Sequence, residues 1–185
     1  MIQVICVLVP IVCMSLVVPE LKRLQQREYT FLLISVFVIY LIGNMYCTLW
    51  SRTPSETASI EIVPFSAYSR LFQESPVGGK RVSGMFASFM EGTLPITGLI
   101  LNVFLYYPLG YLLPILFPKL KPKHVILIGC LCSIATEATQ YLLKMGWCET
   151  DDVIHNTLGT AIGVWVWLWQ SKRLKTVADQ KSGQD

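Results

Sequence analysis

Five apolar runs, at residues 2–18, 30–50, 96–117, 125–145 and 153–169, occupy most of the 185 residues, and each is 17 to 22 residues long. An α-helix rises 1.5 Å per residue, so about 20 residues cross a hydrocarbon core of roughly 30 Å, and the first and last runs are at the short end of that length. Inside a bilayer every backbone polar group must be bonded within the protein, which leaves helices and closed barrels. Residues 31–40 are apolar at consecutive positions, without the alternation that a barrel strand requires. The expected fold is therefore all-α: a polytopic transmembrane bundle of about five helices, one integral membrane domain over residues 1–185, multi-pass in the cell membrane. Composition points the same way, since 53% hydrophobic residues with 15% charged suit neither a soluble surface nor a disordered chain. A net charge of +3 with no dense basic block argues against a nucleic-acid partner.

Residues 2–18 lack a basic region at their start, and Val17-Val18-Pro19-Glu20 lacks the small-residue pattern of a cleavage site, so they read as a helix rather than a signal peptide, kinked at Pro10. Lys and Arg set the orientation. Lys22, Arg23 and Arg27 follow the first run, Lys119, Lys121 and Lys123 lie between the third and fourth, and Lys172, Arg173, Lys175 and Lys181 follow the fifth; these ten belong in the cytoplasm. The long connection at residues 51–95 and the turn with Glu149, Asp151 and Asp152 face outward. The two faces then carry +6 and −3, with Lys144 and Glu137 cancelling in the membrane, which restores the total of +3. Five alternating crossings place the N-terminus outside and the C-terminus inside.

Cys6, Cys13, Cys130 and Cys132 lie within apolar runs, where they act as small hydrophobes. Cys47 and Cys148 both belong near the outer face, where they are close enough to consider a pairing, but no spacing resembles a metal site or a disulfide framework.

Ionisable and strongly polar groups inside spanning helices are costly, and each is a functional hypothesis. Ser133, Glu137, Gln140 and Lys144 share one helix face. Glu137 stands eight residues before Met145, about 12 Å below the outer boundary at 1.5 Å per residue. In the fifth run Asp152, Asn156, Gly159 and Gly163 form one stripe at spacings of 4, 3 and 4. Asp151 or Asp152 suits a helix N-cap, and Gly159 and Gly163 form a GxxxG surface that lets another helix approach closely. Asn102 shares a face with Tyr106, and Pro108 and Pro114 are expected to bend or break that third helix. Asn102, Glu137, Gln140, Asp152 and Asn156 are thus all assigned to the outer half of the bundle, as a ligand-binding or functional polar cluster. An interhelical hydrogen-bond network that holds the bundle together is the other reading of the same residues. Within residues 51–95, Ile60-Glu61-Ile62-Val63-Pro64-Phe65 and an apolar island at residues 85–90 flank the turn-forming Pro76-Val77-Gly78-Gly79; these are candidates for an interfacial cap over the cluster.

At these residues the chain resembles the VanZ-like family of bacterial membrane proteins. Ile62-Val63-Pro64-Phe65 is similar to the family's NLxPF element, and residues 102–113 to NxxxFxPxGxLL. Glu137-Ala138-Thr139-Gln140, followed by residues 152–163, is similar to ExxQ…DxxxNxxGxxxG. The resemblance covers about residues 60–169. It departs from the pattern at Glu61 in place of Asn, at Tyr107 before Pro108, at Trp147 where many members carry Arg, and at Glu149 where Asp is common. Without that Arg, any carboxylate it would balance needs another cation, and Lys144 is the candidate. The resemblance implies a cell-envelope protein that reduces susceptibility to teicoplanin and related lipoglycopeptides, with no established catalytic residues.

Those drugs act on precursors at the outer leaflet, where the polar cluster also lies, so the expected partner is a membrane lipid or lipid-linked cell-wall precursor held at its headgroup. No cofactor or metal is called for, and self-association into a homo-oligomer is left open. A competing class is an intramembrane enzyme acting on lipid-linked precursors, with Glu137 or Asp152 as general base and His155 as proton shuttle. Against it stand the position of His155 one step off the stripe and the absence of nucleophile, phosphate-loop or His-rich motifs. A lipid or solute transporter is the third class, suggested by the proline-broken third helix.

Overall fold

A computed structural model describes residues 25–52, 54, 59–64, 95–145 and 147–182. The helix expected at residues 2–18, Phe65, the Pro76-Val77-Gly78-Gly79 turn and the island at residues 85–90 lie outside the described residues. The chain order is α1 (Gln26–Met45), continued by a π-helical turn (Tyr46–Trp50), then β1 (Ser59–Glu61), α2 (Pro95–Leu116), α3 (Pro122–Leu142), β2 (Trp147–Glu149) and α4 (Thr150–Ser182). The described chain is mostly helical, with four α-helices, and three stretches are long and apolar enough to cross a membrane: Gln26–Trp50, Gly98–Leu116 and Pro122–Leu142. The run at residues 153–169, expected as a fifth span, is the middle of the 33-residue α4, which continues as helix into the basic tail.

Glycine decides how the helices pack. A Cβ on Gly159 would collide with the carbonyl of Val103, and one on Gly163 with the carbonyl of Tyr107, so α4 lies directly on the backbone of α2. The α2 face answers with Gly110, where a Cβ would strike the Thr160 carbonyl, and α3 with Gly129, which makes room for the Thr160 side chain. Close backbone approach of this kind is what small residues permit between membrane helices. The pairings run in the same direction, so α2 and α4 are parallel, while Ser133 beside Asn156 and Val125 beside Val164 make α3 antiparallel to both. Next to them, α1 runs antiparallel to α2: Tyr29 and Leu33 pack with Tyr107, Tyr111 and Leu112, while Asn44 reaches back to the carbonyl of Leu105 at 3.4 Å. The outer side of α1 stays bare, with Phe31 70% and Ile42 64% exposed, as suits a face turned to lipid.

Pro108 and Pro114 neither break nor end α2, which is continuous from Pro95 to Leu116. Each removes one ladder bond, but every position from Tyr106 to Pro114 is buried against the neighbouring helices, and that packing holds the backbone in register. The feature that suggested a broken transporter helix is therefore absent. The all-α expectation also misses a parallel strand pair, β1 with β2, in register Ser59↔Trp147, Ile60↔Cys148 and Glu61↔Glu149. Thr150 Oγ1 adds hydrogen bonds to the carbonyls of Glu61 (3.3 Å) and Ile62 (3.2 Å).

The end of α3 explains the start of this turn. The Met145 N–H bonds to the Gln140 carbonyl (2.8 Å) and the Lys144 N–H to that of Tyr141 (3.1 Å), with Lys144 at φ 54°. That is a Schellman closure with lysine where glycine is usual. Lys144 is thus off the helix and exposed, not on the Glu137 face, and Glu137 sits five residues inside the last helical residue, about 8 Å deep instead of about 12 Å. The bundle ends differ in charge. Arg27, Lys119, Lys121, Lys123, Lys172 and Arg173 gather toward one end, and Glu61, Glu137, Glu149, Asp151 and Asp152 toward the other.

Candidate polar site at the acidic end of the bundle

Four elements converge at the acidic end: the beginnings of α2 and α4, the last turns of α3, and the π-helical turn after α1. Apolar neighbours force their polar side chains to find partners among themselves. Asn102 Nδ2 donates to Asp152 Oδ1 at 2.6 Å, linking α2 to α4. Asn156 Nδ2 donates to Ser133 Oγ at 2.8 Å, linking α4 to α3. Gln140 Nε2 donates to the backbone carbonyl of Thr48 at 2.8 Å, linking α3 to the π-helical turn. Carbonyls at a helix end have no partner within the helix, which is why Thr48 is open to accept. Glu137 Oε2 accepts the backbone N–H of Glu149 at 3.1 Å, and so holds the strand that leads into α4. One turn deeper, the hydroxyls of Tyr106 and Thr136 are 3.0 Å apart.

The five residues expected as a cluster, Asn102, Glu137, Gln140, Asp152 and Asn156, are therefore brought to one end. Ser133, Glu137, Gln140 and Asn156 are buried, whereas Asn102 and Asp152 are half-buried at the rim. Two amide oxygens in this group, Gln140 Oε1 and Asn156 Oδ1, are buried without a hydrogen-bond partner. Gly159 and Gly163 lie one and two turns below, at the contact that draws α2 against α4.

Three expectations change. Helix α4 begins at Thr150, so Asp151 and Asp152 lie within its first turn and neither is the N-cap; the Asp152 carboxylate is engaged by Asn102 instead. Their charge still favours the positive end of the helix dipole. Lys144 lies past the end of α3, off the face that carries Glu137, and Arg52, in the turn after the π-helical segment, acts electrostatically on both Glu137 and Asp152. Reading the sequence missed it because Arg52 stands outside any helical period; its one signal was its place two residues past the second apolar run. His155, although one step off the stripe, is buried with its Nδ1 bonded to the Asp151 carbonyl of its own helix, and it faces Asp152 electrostatically.

Cys47 and Cys148 are not joined in a disulfide. Burial pushes the Cys148 thiol up, and the Glu137 and Asp152 carboxylates add to it, which places this half-buried thiol beside the same acidic pair. Among the described residues no group of three or more His, Cys, Asp or Glu is arranged to hold a metal ion. The arrangement suits binding and orienting a polar group next to lipid. A family model described as VanZ/LLP1 matches residues 31–171 of the chain. No curated protein and no solved structure matches it.

Proposed function

Because this membrane protein belongs to the VanZ/LLP1 family, we propose that its acidic end binds a lipid or lipid-linked headgroup at the outer leaflet and thereby lowers susceptibility to teicoplanin and related lipoglycopeptides. The observation that carries this reading is a polar cluster drawn from three helices, two of them apolar enough to cross a membrane, and buried at one end of the bundle, with a rim of Asn102, Asp152 and Arg52 that is only half-buried. Intramembrane polar groups are costly to keep and mark sites of function. The charge asymmetry supports an outer-leaflet position for the cluster, since the excess of Lys and Arg at the Arg27, Lys119–Lys123 and Lys172 end favours the cytoplasm for that end. That leaflet is where precursors targeted by those drugs are displayed.

Binding accounts for the geometry without a chemical step. His155 is bonded to its own helix, and the amides, carboxylates and guanidinium of the cluster suit holding a polar group. Cells making the chain should accordingly keep unaltered lipid and muropeptide chemistry. The direct test is resistance itself. Glu137→Gln and Asn156→Ala, at matched membrane levels, should return teicoplanin susceptibility to that of cells lacking the chain. Resistance equal to that of the unaltered chain in both variants would remove the cluster from the mechanism.

A further inference from the structure

The far half of α4 carries a surface that the acidic-end cluster does not use. Leu158, Ile162, Trp165 and Trp169 are 49%, 36%, 65% and 45% exposed, and their spacings of 4, 3 and 4 put them on one face of the helix. The next positions of that face are Lys172, Arg173 and Thr176, all exposed. One stripe therefore runs from aliphatic through aromatic to basic side chains. From Leu158 to Lys172 it covers about 21 Å at 1.5 Å per residue. Half of a hydrocarbon core of roughly 30 Å is shorter than this, so the stripe has the reach of one leaflet together with its headgroup region.

The basic part of the stripe lies where the bundle ends. Gly159 rests on Val103 and Gly163 on Tyr107, and the same register continued places Lys172 about level with Leu116, the last residue of α2. Leu168, one turn earlier, packs against the same Leu113, Val125 and Val164 cluster as Leu120 of the turn between α2 and α3. At this level Trp169, Lys172, Arg173 and Thr176 line an open cavity of about 400 Å³. Arg173 Cζ lies 4.1 Å from the centre of the Trp169 ring, a cation–π contact that holds the guanidinium without taking up its N–H donors as a carboxylate would. Thr176 Oγ1 donates to the Lys172 carbonyl at 3.2 Å, so the free donors of the cavity are those of Lys172 and Arg173. No Asp or Glu stands between Asp152 and Asp179, so neither cation has an acidic residue three or four places away to neutralise it. We propose that this stripe is a site for an anionic phospholipid of the leaflet at the basic end, with its phosphate held by Lys172 and Arg173 and its acyl chains lying along Trp169, Trp165, Ile162 and Leu158.

Other occupants fit less well. A zwitterionic headgroup would bring its own cation to Lys172 and Arg173, and the ring that could take a choline already carries Arg173. A water-soluble phosphate would use the basic residues and leave the aromatic and aliphatic part of the stripe idle. Trp, Lys and Arg are common at membrane boundaries as general anchors. A site differs from an anchor in depending on two particular charges rather than on any two at that end of the bundle. This surface is at the opposite end from the Glu137 cluster, and it stands whether or not that cluster binds a headgroup.

The test uses the full chain in phosphatidylcholine nanodiscs doped with phosphatidylglycerol, with lipid retention read by native mass spectrometry. Relative to its share of the bilayer, phosphatidylglycerol should be retained about tenfold or more over phosphatidylcholine, as two juxtamembrane cations allow. Lys172→Gln combined with Arg173→Gln should erase most of that preference. Lys119→Gln combined with Lys121→Gln removes the same charge from the same end and should keep it, and water-soluble glycerol 3-phosphate should compete poorly. Equal loss in the two double variants would mean a diffuse charge effect and overturn the site, as would an unchanged preference in the Lys172 and Arg173 variant. Displacement of phosphatidylglycerol by glycerol 3-phosphate at equal concentration would overturn the lipid source. No preference in the unaltered chain would overturn the proposal without recourse to any variant.

Discussion

Single residues show most clearly where the physical constraints lie. Gly163 has the Tyr107 carbonyl, the Tyr111 nitrogen and the Gly110 carbonyl carbon within the space that a Cβ would fill, whereas Gly98 of the same bundle has nothing within 4 Å. Gly163→Ala should therefore force α2 and α4 apart at an overpacking cost of about 1–3 kcal/mol, read as a lower unfolding temperature in detergent. Gly98→Ala should leave that temperature unchanged or slightly higher. The residues of the proposed site were legible to the same degree as these glycines. Asn102, Glu137, Gln140, Asp152 and Asn156 stand out because amides and carboxylates are conspicuous in apolar runs, and helical spacing alone puts Glu137 with Gln140 and Asp152 with Asn156. Their partners were not legible. The Thr48 carbonyl, the Glu149 N–H and the Arg52 guanidinium belong to backbone or to irregular turns, where no periodicity reports which way a group points.

At the scale of elements, apolar run length recovered the helices to within a few residues at most ends and failed where local chemistry overrode it. The fourth run reads as helical to Met145, but α3 closes at Leu142 through a Schellman turn that puts Lys144 at φ 54°. A non-glycine residue in this region costs about 1–2 kcal/mol, and a β-branched one costs more. Lys144→Gly should hold or raise the unfolding temperature, and Lys144→Val should lower it. Both replacements remove the lysine side chain, so their difference isolates the backbone term. The reverse order would mean that the closure is not formed. In α2 the sequence overstates the effect of proline, because a helix buried over Tyr106–Pro114 loses two ladder bonds without losing its packing. The strand pair was invisible for another reason: three residues on each side, separated by 85 positions or more, leave no local pattern to read.

The described helices form a bundle with a basic end and an acidic end, and the proposed orientation rests on the charge of those ends. In a background lacking the native cysteines, Ile62→Cys should react with an impermeant maleimide added outside intact cells, and Lys119→Cys only after the membrane is opened. The opposite pattern would invert the bundle and move the polar cluster to the cytoplasmic leaflet, away from the drug's target. The central claim is that the buried cluster is a headgroup site rather than a set of helix-to-helix struts, and the two differ in what occupies the space beside Glu137. The most direct measurement is an experimentally determined structure of the full chain in lipid nanodiscs. An ordered headgroup in contact with Glu137, Gln140 Oε1 and Asn156 is the expected result. A closed cluster, in which those atoms bond only to one another or to water and lipid density stays outside the helices, would contradict it.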